Sequence, residues 1–250
     1  MARIYAVANQ KGGVGKTTTA VNLAACLAEA GEKSLVVDLD PQANATSGLG
    51  ESANGTSSYD LLDGVPLSEL AKPTRFANLS LVASKPALAG AVVELARRDD
   101  GDRYLAESLA EGTDAYEYVF LDCPPSLGPL TVNALVAADR VIVPVQTEYF
   151  ALEGLAGLLD TLGLIQRELN PRLTIAGMLL TMHDGRTKLA QDVEAEVRRH
   201  FPQLVFDTVI PRNVRLGEAP SYGRPVIHHD PHCAGADAYF ELAKEVAQRG

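Results

Sequence analysis

Lys11-Gly12-Gly13-Val14-Gly15-Lys16-Thr17-Thr18 follows a short apolar run, Ile4 to Ala8, and opens an alanine-rich segment of helical composition. Strand, glycine-rich turn and helix in that order make a cradle for a nucleotide's phosphates. The three glycines let backbone N–H groups turn inward, and the helix N-terminus adds the positive end of its dipole. In such a loop Lys16 reaches the β- and γ-phosphates and the Thr17 hydroxyl ligates Mg²⁺. The general pattern G-x-x-x-x-G-K-[ST] asks for glycine where this chain has Gln10. It carries instead a second lysine, Lys11, just ahead of the paired glycines.

Working outward, Ile4–Asn9 reads as a strand and 17–30 as a helix ending at Gly31. Ser34–Asp38 is a second buried strand, followed by a Gly/Ser/Asn-rich loop reaching about Ser58. Further strands are expected at 79–83, 118–122, 140–145, 173–180 and 204–210, and helices at 87–97, 103–111, 152–169, 189–201 and 234–248. Strands alternating with helices imply an α/β fold with a mostly parallel twisted sheet covered on both faces. No segment reads as a linker, so residues 1–250 are expected to form one domain.

Composition narrows the function classes. Hydrophobic residues make up 46% and charged residues 22%, ordinary for a soluble globular chain. No apolar run is long enough to span a membrane and the N-terminus lacks a signal-peptide layout, so a cytoplasmic setting is expected. Cys26, Cys123 and Cys233 are widely spaced and odd in number, which argues for reduced thiols. The net charge of −10 is uneven. Residues 181–225 hold seven Lys/Arg against six Asp/Glu, a local excess of one positive charge.

Phosphoryl transfer needs a metal held by hydroxyl and carboxylate, and a group that orients the attacking water. Asp122 ends the hydrophobic strand 118–122 and fits a carboxylate of the Mg²⁺ shell. Asp40, followed by Pro41 where the second strand gives way to its loop, fits the water-orienting group or a contact to the metal's water shell. Asp38 points the same way two residues earlier, as either a structural or a functional acid.

The loop at 11–18, together with Asp38-Leu-Asp-Pro-Gln42, Asp122-Cys-Pro-Pro-Ser126 and Pro211-Arg-Asn-Val-Arg215, closely resembles the ParA/Soj partition ATPases, P-loop NTPases of deviant-Walker type. The resemblance runs from Ile4 to the last helix. It implies that Lys11 is a signature lysine reaching across a nucleotide-sandwich dimer to phosphates bound by the other subunit, in the manner of an arginine finger. Lys11, Lys16 and Asp40 would form the catalytic set, with Gly12 to Thr18 cradling ATP or ADP. Thr17, Asp40 and Asp122 would serve Mg²⁺, and Pro211, Arg212 and Asn213 would lie on the adenine side. Gln146 and Glu148, within Pro144 to Gly154, match a segment near the dimer interface, with their roles left open.

The resemblance further implies a homodimer that binds DNA without sequence preference, with Arg186 and Arg215 in the matching positions, and a ParB-like centromere-binding partner. A nucleoid-associated protein with no N-terminal helix-turn-helix extension is expected. The alternative is a MinD-like membrane-cycling ATPase that regulates division-site placement. Its tail would be a basic amphipathic helix, whereas 239–250 has balanced charge and apolar positions Tyr239, Leu242, Ala243 and Val246 that suit packing on its own domain, so no membrane contact is expected. A metabolic enzyme on the same fold would want cluster cysteines or a substrate pocket, and no paired cysteines occur. His228-His229-Asp230-Pro231-His232-Cys233 matches no zinc spacing and reads as a surface loop.

Overall fold

The protein is described by a computed structural model covering residues 2–149 and 151–249. Met1, Phe150 and Gly250, and the side chains of 151–154 in the interface-like segment, lie outside the described residues. Among the described residues seven strands form one sheet: β1 (Arg3–Val7), β2 (Ser34–Asp38), β3 (Lys72–Pro73), β4 (Leu79–Val82), β5 (Tyr118–Asp122), β6 (Arg140–Gln146) and β7 (Thr174–Thr181). Their order is β3-β4-β2-β5-β1-β6-β7, parallel except for the two-residue edge strand β3.

The central strands are hydrophobic on both sides, as a doubly covered parallel sheet requires. Tyr5, Val7, Val36 and Phe120 face helix α1 (Lys16–Glu29) and the helix Ala234–Arg249. Ala6, Leu35, Val37, Val119 and Leu121 face the other layer, with Leu130 and Leu135 of helix Pro129–Ala137 and Leu155, Leu158 and Leu162 of helix Ala151–Glu168. The helix Ala234–Arg249 buries Tyr239, Leu242, Ala243 and Val246. The Tyr239 hydroxyl meets that of Thr19 at 3.2 Å, so this helix is docked on α1 with its apolar face used inside the fold.

One expected strand does not form. Residues 204–210 run beside β7, and Phe206 N–H donates to Met178 O (3.0 Å) and Ile210 N–H to Leu180 O (2.9 Å). Only an isolated bridge between Met178 and Val205 results, and a second joins His183 to Pro211. Between these two contacts the segment spends four residues against two of β7, so no ladder can propagate, and the amides of the extra turn, Asp207 (2.8 Å) and Thr208 (3.0 Å), donate to the Glu245 carboxylate instead. The polar stretch after β2 also contains the short helices Asn44–Gly48 and Ser58–Leu62 rather than loop alone.

Candidate active site

The carboxyl ends of β1, β2 and β5 converge, which is where open α/β sheets place their ligand crevice. The loop after β1 turns through Gly13 and Gly15, at φ 73° and 91°, a region costly to any residue with a Cβ. Gly15 caps α1, so the helix dipole starts at Lys16, and a Cβ on Gly12 would sit 3.8 Å from that of Pro125. The loop is tied from both sides. Asn9 Nδ2 donates to Pro144 O (2.6 Å), and the Thr181 hydroxyl donates to Val14 O (2.9 Å).

Lys16 is 6% exposed and donates to Lys11 O at 3.0 Å, so the loop folds around its own ammonium. Burial pushes the Lys16 pKa below the usual lysine value, and the neighbouring carboxylates of Asp122 and Asp40 pull it back up.

Beside it lies an accumulation of acid. Asp38 and Asp122 are register partners on adjacent strands, both fully buried and both on the α1 side. Asp38 is satisfied: its oxygens accept from Asp40 N (3.1 Å), Thr46 N (2.8 Å) and the Thr46 hydroxyl (2.7 Å). Burial nevertheless lifts its pKa to about 6. Its work is to fix the turn from Asp40 into helix Asn44–Gly48. Asp122 is the opposite case, for neither carboxylate oxygen has a hydrogen-bond partner. Burial and the neighbouring Asp38 push its pKa well up, while the Thr17 hydroxyl and Lys16 oppose them. A buried carboxylate with unused oxygens next to a threonine hydroxyl suits a hard divalent cation such as Mg²⁺.

Asp40 accepts Gln42 N–H (2.9 Å), and Ser84 Oγ holds its carbonyl (2.7 Å). It lines a cavity of about 430 Å³ with Gly13, Lys16, Thr17, Thr18 and Pro125. An adjoining cavity of about 200 Å³ is walled by Pro211, Arg212, Asn213 and Ile210, and both share Gly15, Thr18 and Met182. Two adjoining chambers, one over the phosphate cradle and one more apolar, suit the two ends of a nucleotide.

The sequence shows what this geometry belongs to. The AAA domain family matches residues 2–175. The sporulation initiation inhibitor protein Soj of Bacillus subtilis is 52% identical over the whole of both chains. The chromosome-partitioning ATPase Soj of Thermus thermophilus is 56% identical over 99% of this chain and 96% of its own. The chain belongs to the Soj/ParA family of chromosome-partitioning ATPases. Among solved structures, cobyrinic acid a,c-diamide synthase from Mycobacterium smegmatis, with a bound ATP analogue and magnesium, superposes with a TM-score of 0.85 at 37% identity, covering 98% of this chain and 93% of that one.

For this Soj/ParA family member the remaining expected residues lie on the rim. The His183–Pro211 bridge ties the turn after β7 to the segment carrying Arg212 and Arg215. Arg186 extends into solvent, yet it makes a bidentate pair with Asp184, with Nε and NH2 each at 2.8 Å. That pair holds the Asp184 carboxyl at about 2. Arg215 is paired twice, with Glu218 (2.7 Å) and Asp230 (3.1 Å). Asn213 caps the helix Val214–Glu218, its side chain accepting Arg215 N–H (2.8 Å).

The ring of His228 stacks on Phe76 and that of His229 on Tyr222, and among the described residues no group of three or more His, Cys, Asp or Glu is placed to hold a metal. No helix among the described residues is long and apolar enough to cross a membrane. Several wall residues escaped sequence reasoning, Met182 and Ser47 among them. Met182 sits at φ 51° between the chambers, and Ser47 lines the larger one. A β-strand's end gives no sign of a left-handed methionine, and nothing local marks Ser47.

Proposed function

We propose that the chain is an ATP-driven DNA-segregation ATPase whose ATP-bound form is a sandwich dimer that holds DNA without sequence preference. Hydrolysis, stimulated by a ParB-like centromere-binding partner, would release it from the nucleoid and so move a chromosome or plasmid. The observation that carries this reading is the crevice lined by the 11–18 loop and Asp40, with the unpartnered Asp122 at the adjoining strand end, in a chain 56% identical over 99% of its length to a chromosome-partitioning ATPase.

The roles follow from position. Backbone N–H groups of Gly12 to Thr18 and the N-terminus of α1 would bind the phosphates, with Lys16 leaving the Lys11 carbonyl to reach them. Pro211, Arg212 and Asn213 would flank the adenine. Thr17 and Asp122, with Asp40 through its water shell, would hold Mg²⁺, which supplies charge neutralisation of the phosphates. Asp40 would orient the attacking water, its backbone fixed by Asp38 and Ser84. Lys11 would serve the partner subunit's phosphates, placing cationic charge there only in the dimer. Arg186 and Arg215 would exchange their carboxylate partners for DNA phosphates, a contact that needs charge and spacing but reads no sequence. The apolar face of the last helix is used within the fold, which favours a DNA surface over a membrane surface.

Asp40→Ala tests the cycle. It should bind ATP and accumulate as a dimer on size exclusion with turnover near zero. Rapid hydrolysis by this variant would remove Asp40 from the chemical step.

A further inference from the structure

Lys11 is fixed at its backbone and steered at its tip. Its N–H donates to Asn9 Oδ1 (3.0 Å), its carbonyl accepts Lys16 Nζ (3.0 Å), and its ammonium lies 3.4 Å from Glu148 Oε2. Glu148 stands two residues beyond β6. In the strand order β2-β5-β1-β6, Asp40 and Asp122 lie to one side of the Lys11 loop and Glu148 to the other. The ammonium is therefore drawn away from the crevice in which its own subunit would bind phosphates.

Glu148 is itself held in place. Gln146 Nε2 donates to Oε1 at 2.6 Å, which orients the carboxylate, and Arg212 NH2 approaches the same oxygen at 3.9 Å. One carboxylate thus faces two cations, Lys11 from the phosphate cradle and Arg212 from the wall of the smaller chamber. We infer that Glu148 is a positioning residue that restrains Lys11 in the unpaired subunit and yields it when a second subunit brings its phosphates near. The inference rests on the reading of Lys11 as a lysine that acts across the dimer.

The strength of the pair suits a restraint that must be undone. The side chains of Lys11 and Glu148 are 37% and 45% exposed, and pairs so open to water are weak and screened by salt. A triphosphate carries several negative charges against the single charge of Glu148, so it prevails once it is within reach. The restraint then acts as a modest opposition to ATP-dependent dimerisation, because the pair must open before Lys11 can cross, and neutralising it shifts the equilibrium by a small factor.

The test is the dimer dissociation constant at saturating ATP, by sedimentation equilibrium, for the wild type, Glu148→Gln, Lys11→Ala and the double variant. Glu148→Gln should dimerise about two- to fivefold more tightly, the range of an exposed pair, and the gain should vanish in the Lys11→Ala background. An unchanged or weaker dimer in Glu148→Gln overturns the restraint, as does a gain that persists without Lys11. If Lys11→Ala dimerises like the wild type, the underlying reading of Lys11 fails instead. A second readout needs no dimer. In nucleotide-free protein, acylation of the Lys11 amine, followed by peptide mass spectrometry, should rise in Glu148→Gln, and unchanged labelling contradicts the pair.

Discussion

The crevice at the ends of β2 and β5 and the rim beyond β6 and β7 settle their charges in opposite ways. In the crevice Asp40 and Asp122 lie close to one buried lysine with Asp38 beside Asp122 on the next strand, and Asp122 has no hydrogen-bond partner. On the rim every cation already described has an acid: Lys11 and Arg212 share Glu148, Arg186 has Asp184, and Arg215 has Glu218 and Asp230. The inner region is built to receive a cation along with its phosphates. On the proposed reading, the outer one would exchange carboxylates for DNA phosphates. Buried charge is costly to leave unpaired, whereas exposed pairs cost little to open. On that reading nucleotide would be held tightly inside and DNA reversibly outside.

The contrast can be broken from the inside first, where effects are largest. Lys16→Ala removes the buried cation of the cradle, and ATP turnover should fall by about 100-fold or more, as for loss of a transition-state donor. Steady-state phosphate release measures it. Asp122→Asn should abolish Mg²⁺-dependent hydrolysis and yet stabilise the nucleotide-free protein by about 1–3 kcal/mol in urea unfolding, because a buried charge without partners is relieved.

The pH dependence carries the same sign. Asp38, at about 6, and Asp122, pushed well up, bind protons more tightly folded than unfolded. Their ionisation therefore weakens the fold, and the nucleotide-free protein should lose stability as pH rises from about 4 through 6. Asp122→Asn should flatten that fall. On the rim, Arg215→Glu should weaken DNA retention about tenfold or more while ATP-dependent dimerisation persists, since it removes a phosphate contact and two exposed ion pairs but no group of the cradle. Least of all, Glu218→Gln, which frees one side of Arg215, should tighten DNA binding a few-fold in fluorescence anisotropy.

Much of the inner region was legible in the chain because its chemistry is local. Gly13 and Gly15 announce positive φ, and Asp122 ends an unbroken hydrophobic strand. The strand expectations at 34–38 and 118–122 match the observed bounds. The rim was not legible in this way, since its pairs join distant segments. Glu148 is 137 residues from Lys11, and Asp230 is brought to Arg215 by the fold of the last third of the chain. The failed strand at 204–210 has the same origin. Its hydrophobic pattern is strand-like, but it spends four residues against two of β7, and the amides of Asp207 and Thr208 go to Glu245 of the last helix. Long-range pairing overrides local pattern, and the sequence carries no local mark of it.

The coupling of the two regions is the central claim, and DNA binding tests it most directly. Affinity for a duplex of arbitrary sequence should be measured with ATP and with ADP, each at about 50 and 200 mM salt. Tight binding with ATP that falls steeply with salt, and weak binding with ADP at both concentrations, is the predicted result. Equal affinity with the two nucleotides, or affinity indifferent to salt, would contradict it.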